Sequence, residues 1–284
     1  MDQQSFYDAV GGHETFQQIV SRFYEQVRDA IHAGALKPGQ DPWETVAPSA
    51  LPFGQGWHVP RAATLDDIAH VHEAFVNSAK RAVRIGFDAI ELHYAHGYLA
   101  HSFLSPVSNQ RTDQYGGSLE NRMRLGREIA RAVREVVPKT IALGARITGA
   151  DWREEGLSVD DAVAYSKSLK ADGLDYIDVS SGGITADTRT PTTPGYNVPI
   201  AERIKKEAGV ATRVVGMITA PAQAESIVGE GKADMVALGR GMLDDPRWGW
   251  HAGAELGADV VRPPQYLRAG PKMWSPAQRA RVAS

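Results

Sequence analysis

From Thr64 onward, the chain alternates amphipathic helix patterns with short, continuously apolar runs. The first helix is predicted to begin at Thr64, a residue that can cap it, and to end at Gly86. Further helices are predicted from Ser118 and over 158–171, 200–207 and 221–228. Five apolar runs, typical of buried strands, separate these helices and cover 87–92, 140–147, 176–179, 214–217 and 235–238.

The repeated strand–helix order predicts an α/β fold with a parallel sheet, most simply a (β/α)8 TIM barrel. The barrel is expected to be incomplete, because five of its eight strands are recognisable. Reactive groups of such barrels lie at the carboxyl ends of the strands. In this chain those positions hold polar residues and glycines, namely His93, Arg146, Ser180, Ser181, Gly182, Gly216, Gly239 and Arg240. We interpret the series as one functional edge; the alternative is that the glycines merely turn the chain.

Two regions are irregular. The stretch 97–117 shows no periodicity and is predicted to be a long loop, and loops of this length inside compact domains are usually functional. The stretch 38–60 is rich in Pro, Gly and Trp, and we expect it to pack over the rim of the barrel.

Composition narrows the class of protein. A chain of 284 residues with 43% hydrophobic residues can bury one large core. Its net charge of −3 gives no indication of a nucleic-acid partner. The absence of cysteine excludes disulfides, thiolate metal sites and cysteine nucleophiles. Because no apolar run approaches the roughly 20 residues that cross a bilayer and no signal peptide is visible, we expect a cytoplasmic protein without a membrane partner.

Two histidines and a tyrosine follow the first predicted strand, at His93, His96 and Tyr98. Two neutral imidazoles can donate hydrogen bonds to a single oxygen, and a phenol with a pKa of about 10 can deliver a proton beside them. This combination favours chemistry on a carbonyl-conjugated substrate. The alternatives are that the histidines are structural or that they bind a metal, although no third ligand is placed to complete a metal site.

A series of short motifs surrounds these residues: 93–99 (HYAHGYL), 103–106 (FLSP), 111–113 (RTD), 115–118 (YGGS) and 120–122 (ENR). They resemble the old yellow enzyme family of flavin-dependent ene-reductases, and its bacterial, thermophilic-type branch in particular. The resemblance continues through Arg146, Ser180–Gly182, Gly216–Ile218, Gly239–Arg240 and Pro264–Tyr266, and it spans roughly residues 32–274.

The resemblance implies FMN across the mouth of the barrel, NADPH or NADH as its reductant, and hydride transfer to an activated alkene. His93 and His96 would hold the carbonyl oxygen of a small-molecule substrate, and Tyr98 would protonate the α-carbon. The remaining candidates would bind the cofactor: Arg146 at the flavin N1/O2 edge, Gly239 and Arg240 at the phosphate, and Ser181, Gly182 and Gly216 nearby.

The front of the chain departs from this family, because the three strands expected before His32 cannot be matched. Residues 5–29 instead resemble the opening helices of a truncated haemoglobin, so we divide the chain into a helical segment, 1–31, and a partial FMN-binding barrel, 32–284. Haem binding is disfavoured because no proximal-histidine segment follows. The helix of 1–31 could plug the open barrel, or two chains could complete each other as a homo-oligomer. The alternative function is a non-catalytic, rearranged barrel fragment that has lost flavin binding.

Overall fold

The computed structural model describes residues 44–270 and 273–274. The predicted segment 1–31 and its truncated-haemoglobin resemblance lie outside the described residues. In chain order, the described elements are β1 (Val46–Ala47), β2 (Arg61–Ala62), α1 (Leu65–Ile85), β3 (Ala89–Tyr94), α2 (Leu99–Leu104), α3 (Leu119–Val136), β4 (Ala142–Thr148), α4 (Val159–Ala171), β5 (Tyr176–Ser180), α5 (Val198–Ala208), β6 (Ala211–Val215), α6 (Pro221–Gly229), β7 (Met235–Ala237), α7 (Arg240–Asp244), α8 (Trp248–Glu255) and a 3₁₀ helix (Pro264–Ala269).

Strands β3 to β7 form one parallel sheet whose spatial order follows the chain, as in part of a (β/α)8 barrel. The predicted fold class, an incomplete barrel with five recognisable strands, is confirmed. The first strand begins two residues later than predicted, because Phe87 and Asp88 form the turn after α1. The strand also ends two residues later than predicted, at Tyr94, so His93 lies within β3 and not beyond its end.

The two ends of helix α1 are set by residues whose capping preferences are recognisable in the sequence. The Thr64 hydroxyl accepts a hydrogen bond from Asp67 N–H at 3.1 Å, and the Asp67 carboxylate accepts one from Thr64 N–H at 2.7 Å. This reciprocal capping box satisfies two backbone donors that the first turn leaves free. Gly86 ends the helix at φ 85°, a left-handed conformation that suits glycine. Both predicted ends are confirmed.

The two faces of the sheet differ in chemistry. One face packs against the helices and forms the core, whose fully buried members include Tyr94, Ile129, Leu143, Ile147, Leu169, Ile177 and Ile204. The opposite face, which would be the barrel interior, carries polar and charged side chains in register: His93 is paired with Arg146, Arg146 with Asp178, and Asp178 with Arg213. Period-2 alternation along each strand separates the two sets.

The prediction of a structureless loop over 97–117 is wrong in part, because α2 lies inside it. Five of the six residues of α2 are buried, so this helix is covered on nearly every side. A helix buried all round has no polar stripe, and a single turn and a half is too short to show a 3.6-residue period. The remainder, 105–118, is loop.

Candidate active site

His93, His96 and Tyr98 come together at the carboxyl end of β3. The ring of His93 lies 5.4 Å from that of His96 and 5.3 Å from that of Tyr98, measured between centroids. His93 projects from the charged face of the sheet and is exposed, and Tyr98 is 64% exposed at the start of α2. The structure thus gathers the three predicted catalytic residues into one cluster that opens toward the barrel interior.

A tight backbone turn sets the position of His96. His96 has φ 60° and Gly97 has φ 77°, so two successive residues are left-handed. A Cβ at position 97 would lie 2.1 Å from the carbonyl oxygen of Gly183, which explains the glycine. His96 N–H donates to the Thr148 hydroxyl at 3.1 Å, and its Nε2 lies 2.7 Å from Ser180 Oγ. The ends of β4 and β5 therefore hold this histidine in place.

A buried pair of side chains, His101 and Asp151, supports the turn at His96 and Gly97. Gly97 N–H donates to His101 Nδ1 at 2.8 Å, so the proton of this imidazole lies on Nε2. That nitrogen is 3.0 Å from Asp151 Oδ1, and both side chains are fully buried. The other carboxylate oxygen of Asp151 accepts from Ser105 Oγ at 2.6 Å and from Leu157 N–H at 2.7 Å. Burial alone would raise the pKa of Asp151, but the contacts with His101, Leu157 and Ser105 lower it overall.

The pKa values of both clustered histidines are lowered, which favours neutral rings at pH 7. Burial, the positive charge of Arg146 and the neighbouring imidazole of His93 lower the pKa of His96 to about 4. Partial burial and Arg146 also lower the pKa of His93 from its ordinary value. A neutral imidazole still carries one N–H donor, so each ring can hydrogen-bond an acceptor without carrying a charge into the site.

Arg146 stands beside His93 in the register of the sheet. Its Nη1 lies 3.6 Å from Asp178 Oδ2. Arg213 Nη2 lies 2.9 Å from the same oxygen and also contacts Glu91. Burial and the charge of Asp178 raise the pKa of Glu91. The Nε of Arg146 is buried without a hydrogen-bond partner in the described structure, which leaves the guanidinium with an unsatisfied donor beside His93.

The other predicted cofactor residues follow the next three strands. Ser181 and Gly182 come directly after β5, Gly216 after β6, and Gly239 and Arg240 two and three residues after β7. Since the carboxyl ends of parallel strands meet at one edge, these residues and the histidine cluster occupy the same mouth. The Ser181 hydroxyl donates to Asn197 at 2.7 Å and accepts from the Trp152 indole at 2.9 Å, so the protein already satisfies it.

Backbone strain is concentrated at this mouth. Three non-glycine residues in the described parts of the chain have positive φ: His96 at 60°, Trp152 at 57° and Met217 at 50°. They follow β3, β4 and β6 respectively. Such conformations cost about 1–3 kcal/mol each and cluster at active sites, where the surrounding structure enforces them.

Sequence reasoning missed four residues that position the cluster: Thr148, Ser180 as a partner of His96, His101 and Asp151. His101 carried one usable signal, an imidazole inside an apolar stretch, which needs a buried partner. The identity of that partner could not be inferred, because Asp151 lies in a distant loop. In residues 44–270 and 273–274, no group of three or more ligand side chains is placed to hold a metal ion. None of the described helices is both long and apolar enough to cross a membrane.

Comparison with known proteins identifies the family. The chain matches the NADH:flavin oxidoreductase / NADH oxidase family over residues 13–257. It is 46% identical over 237 residues to the NADPH dehydrogenase of Geobacillus thermodenitrificans, a match covering 84% of this chain and 68% of that protein. It is 42% identical over 240 residues to the NADPH dehydrogenase of Listeria innocua, with coverage of 84% and 69%.

Solved structures agree with this result. Morphinone reductase superposes with a TM-score of 0.63 at 28% identity, over 79% of this chain and 62% of that one. A complex of 2-naphthoyl-CoA reductase with 2-naphthoyl-CoA gives a TM-score of 0.70 at 26% identity, over 80% of this chain and 34% of that one. The fold is therefore that of a flavin-dependent oxidoreductase barrel.

This chain belongs to the NADH:flavin oxidoreductase / NADH oxidase family, the old yellow enzyme family that its motifs resemble. The family's cofactors are FMN and, as reductant, NAD(P)H. The chain spans about two thirds of the length of the curated relatives and about a third of the 2-naphthoyl-CoA reductase chain. The division at residue 31 and the truncated-haemoglobin resemblance stay predictions.

The described residues fit a flavin mononucleotide at both of its ends. The unpartnered Nε of Arg146 offers a donor to the acceptor atoms of a flavin ring beside His93. At the other end, a Cβ at Gly239 would meet no atom within 4 Å, so this backbone is open to close approach. Arg240 is exposed and forms no ion pair with any residue of the described ranges, which leaves its charge available for a phosphate.

Proposed function

We propose that this chain reduces the activated C=C bond of α,β-unsaturated carbonyl compounds with NAD(P)H, using FMN. The observation that carries the proposal is the cluster of His93, His96 and Tyr98 beside the unsatisfied guanidinium of Arg146. Two neutral N–H donors next to a phenol are suited to an oxygen that gains negative charge and a carbon that gains a proton. The small-molecule substrate would enter through the open mouth of the sheet.

The residues that would hold FMN lie at successive strand ends. Arg146 would bind the ring edge, Gly239 and Arg240 the phosphate, and Ser181, Gly182 and Gly216 would line the space between. When bound, FMN would supply the hydride-transfer chemistry that links NAD(P)H to the alkene. A guanidinium, which stays protonated throughout, favours a flavin ring that carries negative charge.

His93 and His96 would bind the substrate's carbonyl oxygen through one N–H each. For His96 this requires the proton on Nδ1, and the Ser180 hydroxyl at 2.7 Å can enforce that tautomer by donating to Nε2. The lowered pKa values of both histidines favour neutral rings, so the rings stabilise developing charge by hydrogen bonding and do not protonate the oxygen at pH 7. Ser180 acts here as a positioning residue.

Tyr98 would deliver the proton to the α-carbon. Its ring packs beside His93, 5.3 Å away between centroids, which places the phenol next to the expected position of the carbonyl group. The side chain is 64% exposed, so water can return the proton after each turnover. General acid catalysis of this kind typically contributes about 10²–10⁴-fold to the rate.

The test is NADPH oxidation by the purified full chain, reconstituted with FMN, on addition of cyclohex-2-enone. We expect substrate-dependent NADPH consumption, and we expect Tyr98→Phe to lower kcat about 10²–10⁴-fold without lowering stability. Tyr115→Phe is the matched control, because the Tyr115 hydroxyl donates to Glu128 at 3.0 Å outside the cluster. A Tyr98→Phe variant as active as the original chain would refute the assigned acid.

The second candidate is the non-catalytic barrel fragment. The observation that favours it is that, within the described residues, the outer edges of β3 and β7 pair with no strand. Unpaired edges invite association with another chain. A protein that stays colourless after incubation with FMN and sediments as a defined oligomer would support this candidate, whereas a yellow, enone-reducing protein would exclude it.

A further inference from the structure

A cavity outside the histidine cluster is lined in part by Tyr98. Residues 48–60 form a loop that covers α2, and a cavity of about 480 Å³ lies between this loop and Tyr98. The ends of the loop are joined, because Arg61 N–H donates to Thr45 O at 2.9 Å and Ala63 N–H donates to Ala47 O at 2.8 Å. A compact surface loop with paired ends is a type that frequently carries function.

The loop is fixed to the barrel from two sides. On one side, Arg111 Nη1 donates to Ala63 O at 2.5 Å and to Pro48 O at 3.2 Å. On the other, Phe53 O accepts from Ala186 N–H at 2.9 Å, in the segment that follows β5. The loop that walls the cavity is therefore bonded both to the loop 105–118 and to the segment after β5.

The lining is largely apolar, and His58 and Tyr98 also line the cavity. Phe53 and Trp57 pack edge to face with centroids 5.0 Å apart and form the outer wall. Leu99, Val107 and Ile184 contribute apolar surface on the barrel side, and no Asp, Glu, Lys or Arg lines the cavity. The hydroxyls of Ser102 and Ser108 donate to the backbone oxygens of Leu99 and Ser102, so they offer no unsatisfied donor. Such a lining suits an uncharged ring or hydrocarbon chain.

We propose that this cavity is a specificity subsite that binds an apolar or aromatic group carried on the alkene carbon that Tyr98 protonates. The inference rests on the proposed function for the identity of the substrate. Tyr98 is the wall shared between the histidine cluster and the cavity, so a substituent on the carbon nearest this phenol is the part of the substrate that reaches it. The subsite would favour enones with a bulky α-substituent over unsubstituted ones.

The competing occupant is the chain itself, because residues 1–43 lead directly to Thr45 at the cavity edge. A test must therefore report on a free ligand. We choose 2-benzylcyclohexanone and cyclohexanone, two saturated ketones that cannot be reduced at a C=C bond, and measure their dissociation constants for the full chain by saturation-transfer NMR titration. Because the cavity would remove the apolar phenyl ring from water, we expect the benzyl ketone to bind at least tenfold more tightly.

Val107→Phe would fill the cavity, and Trp57→Ala would remove its outer wall. Both substitutions should reduce the tenfold preference to less than threefold while leaving cyclohexanone binding unchanged. Val228→Phe, on an exposed position of α6, is the matched control and should keep the full preference. Thermal melts of each variant check folding, and Trp57→Ala keeps the test valid if Val107→Phe does not fold.

The outcomes separate the two proposals. A full chain that binds both ketones equally, or a preference that survives both cavity variants, overturns the subsite and leaves enone reduction untouched. A benzyl preference that depends on Val107 and Trp57, in a protein that never oxidises NADPH with an enone, supports the subsite and contradicts the proposed function.

Discussion

The two ends of the candidate site are built differently. At the β3 end, His96 is held by Thr148 and Ser180, and the turn below it rests on the buried His101–Asp151 pair. At the β7 end, Gly239 and Arg240 are exposed, and Arg240 forms no ion pair with a described residue. One end is held by contacts within the protein, and the other presents a charge that no described residue pairs with.

The difference follows from what each end has to do. Groups that stabilise charge during a reaction are effective when the protein has already oriented them, because no reorganisation is then needed. A phosphate carries its own charge, so an arginine that waits for it needs no partner within the protein. We infer that this chain orients its catalytic cluster by itself and that the bound cofactor orders the phosphate end.

The largest effect is expected at the buried His101–Asp151 pair, which supports the β3 end of the site. Asp151→Ala should lower the free energy of unfolding by about 3–5 kcal/mol, because it removes the buried carboxylate that lies 3.0 Å from His101 Nε2 and leaves the donors Ser105 Oγ and Leu157 N–H without an acceptor. Urea unfolding followed by circular dichroism measures the loss. Asp187→Ala is the control, since Asp187 pairs with Arg153 on the surface and should cost less than about 1 kcal/mol. Equal losses in the two variants would contradict the assigned support.

A substitution at the β7 end of the site should change the affinity for FMN and not the stability of the protein. Arg240→Gln should weaken FMN binding about 10–100-fold, the equivalent of one charge-assisted hydrogen bond, with an unchanged melting temperature. Quenching of flavin fluorescence on titration gives the dissociation constant. Arg84→Gln removes the same charge from the exposed end of α1 and should leave binding unchanged. If both variants bind FMN as the original chain does, Arg240 is not a phosphate ligand.

The lowered pKa of His96 predicts a pH dependence of stability. Below about pH 6.5 the unfolded chain takes up a proton on this ring, whereas the folded chain does so only near pH 4. Stability should therefore fall as the pH falls from 6.5 to 4. The stability of the His96→Asn variant should fall less steeply than that of the original chain. His70→Asn, which changes an exposed imidazole of α1, should keep the original slope. Identical slopes for all three proteins would show that the folded structure does not lower the pKa of His96.

A smaller effect is expected at Ser180. Ser180→Ala should raise KM for cyclohex-2-enone about three- to tenfold, because the neutral tautomer of His96 loses the hydroxyl that selects it. The rate at which NADPH reduces the enzyme should stay the same, since that step does not use the carbonyl site. A Ser180→Ala variant in which the KM rises and the rate of reduction by NADPH falls together would indicate that Ser180 has a structural role only.

Local signals made much of the fold predictable from the sequence. Thr64, Ser118 and Ser158 mark helix starts with their own hydroxyls, and Gly86 marks an end with its left-handed backbone. The start of β3 was misplaced because Phe87 is apolar yet 52% exposed in a turn. Periodicity cannot distinguish such a residue from the first position of a strand.

The site was predictable only where its residues share one motif. His93, His96 and Tyr98 lie within six positions, so the chain alone indicates their convergence, which the ring distances support. The contacts that hold them, His101 with Asp151 and His96 with Ser180, join loops far apart in the sequence. Such pairs are set by the pairing of neighbouring strands and the packing of their loops, and a single sequence carries no record of them.

Hydrogen exchange of the full chain with and without FMN tests the contrast between the two ends most directly. We predict that FMN slows exchange strongly at 239–244, while 93–104 exchange slowly in both states, because the protein already orders them. Rapid exchange at 93–104 before FMN is added, or no protection of 239–244 after it, would contradict the account.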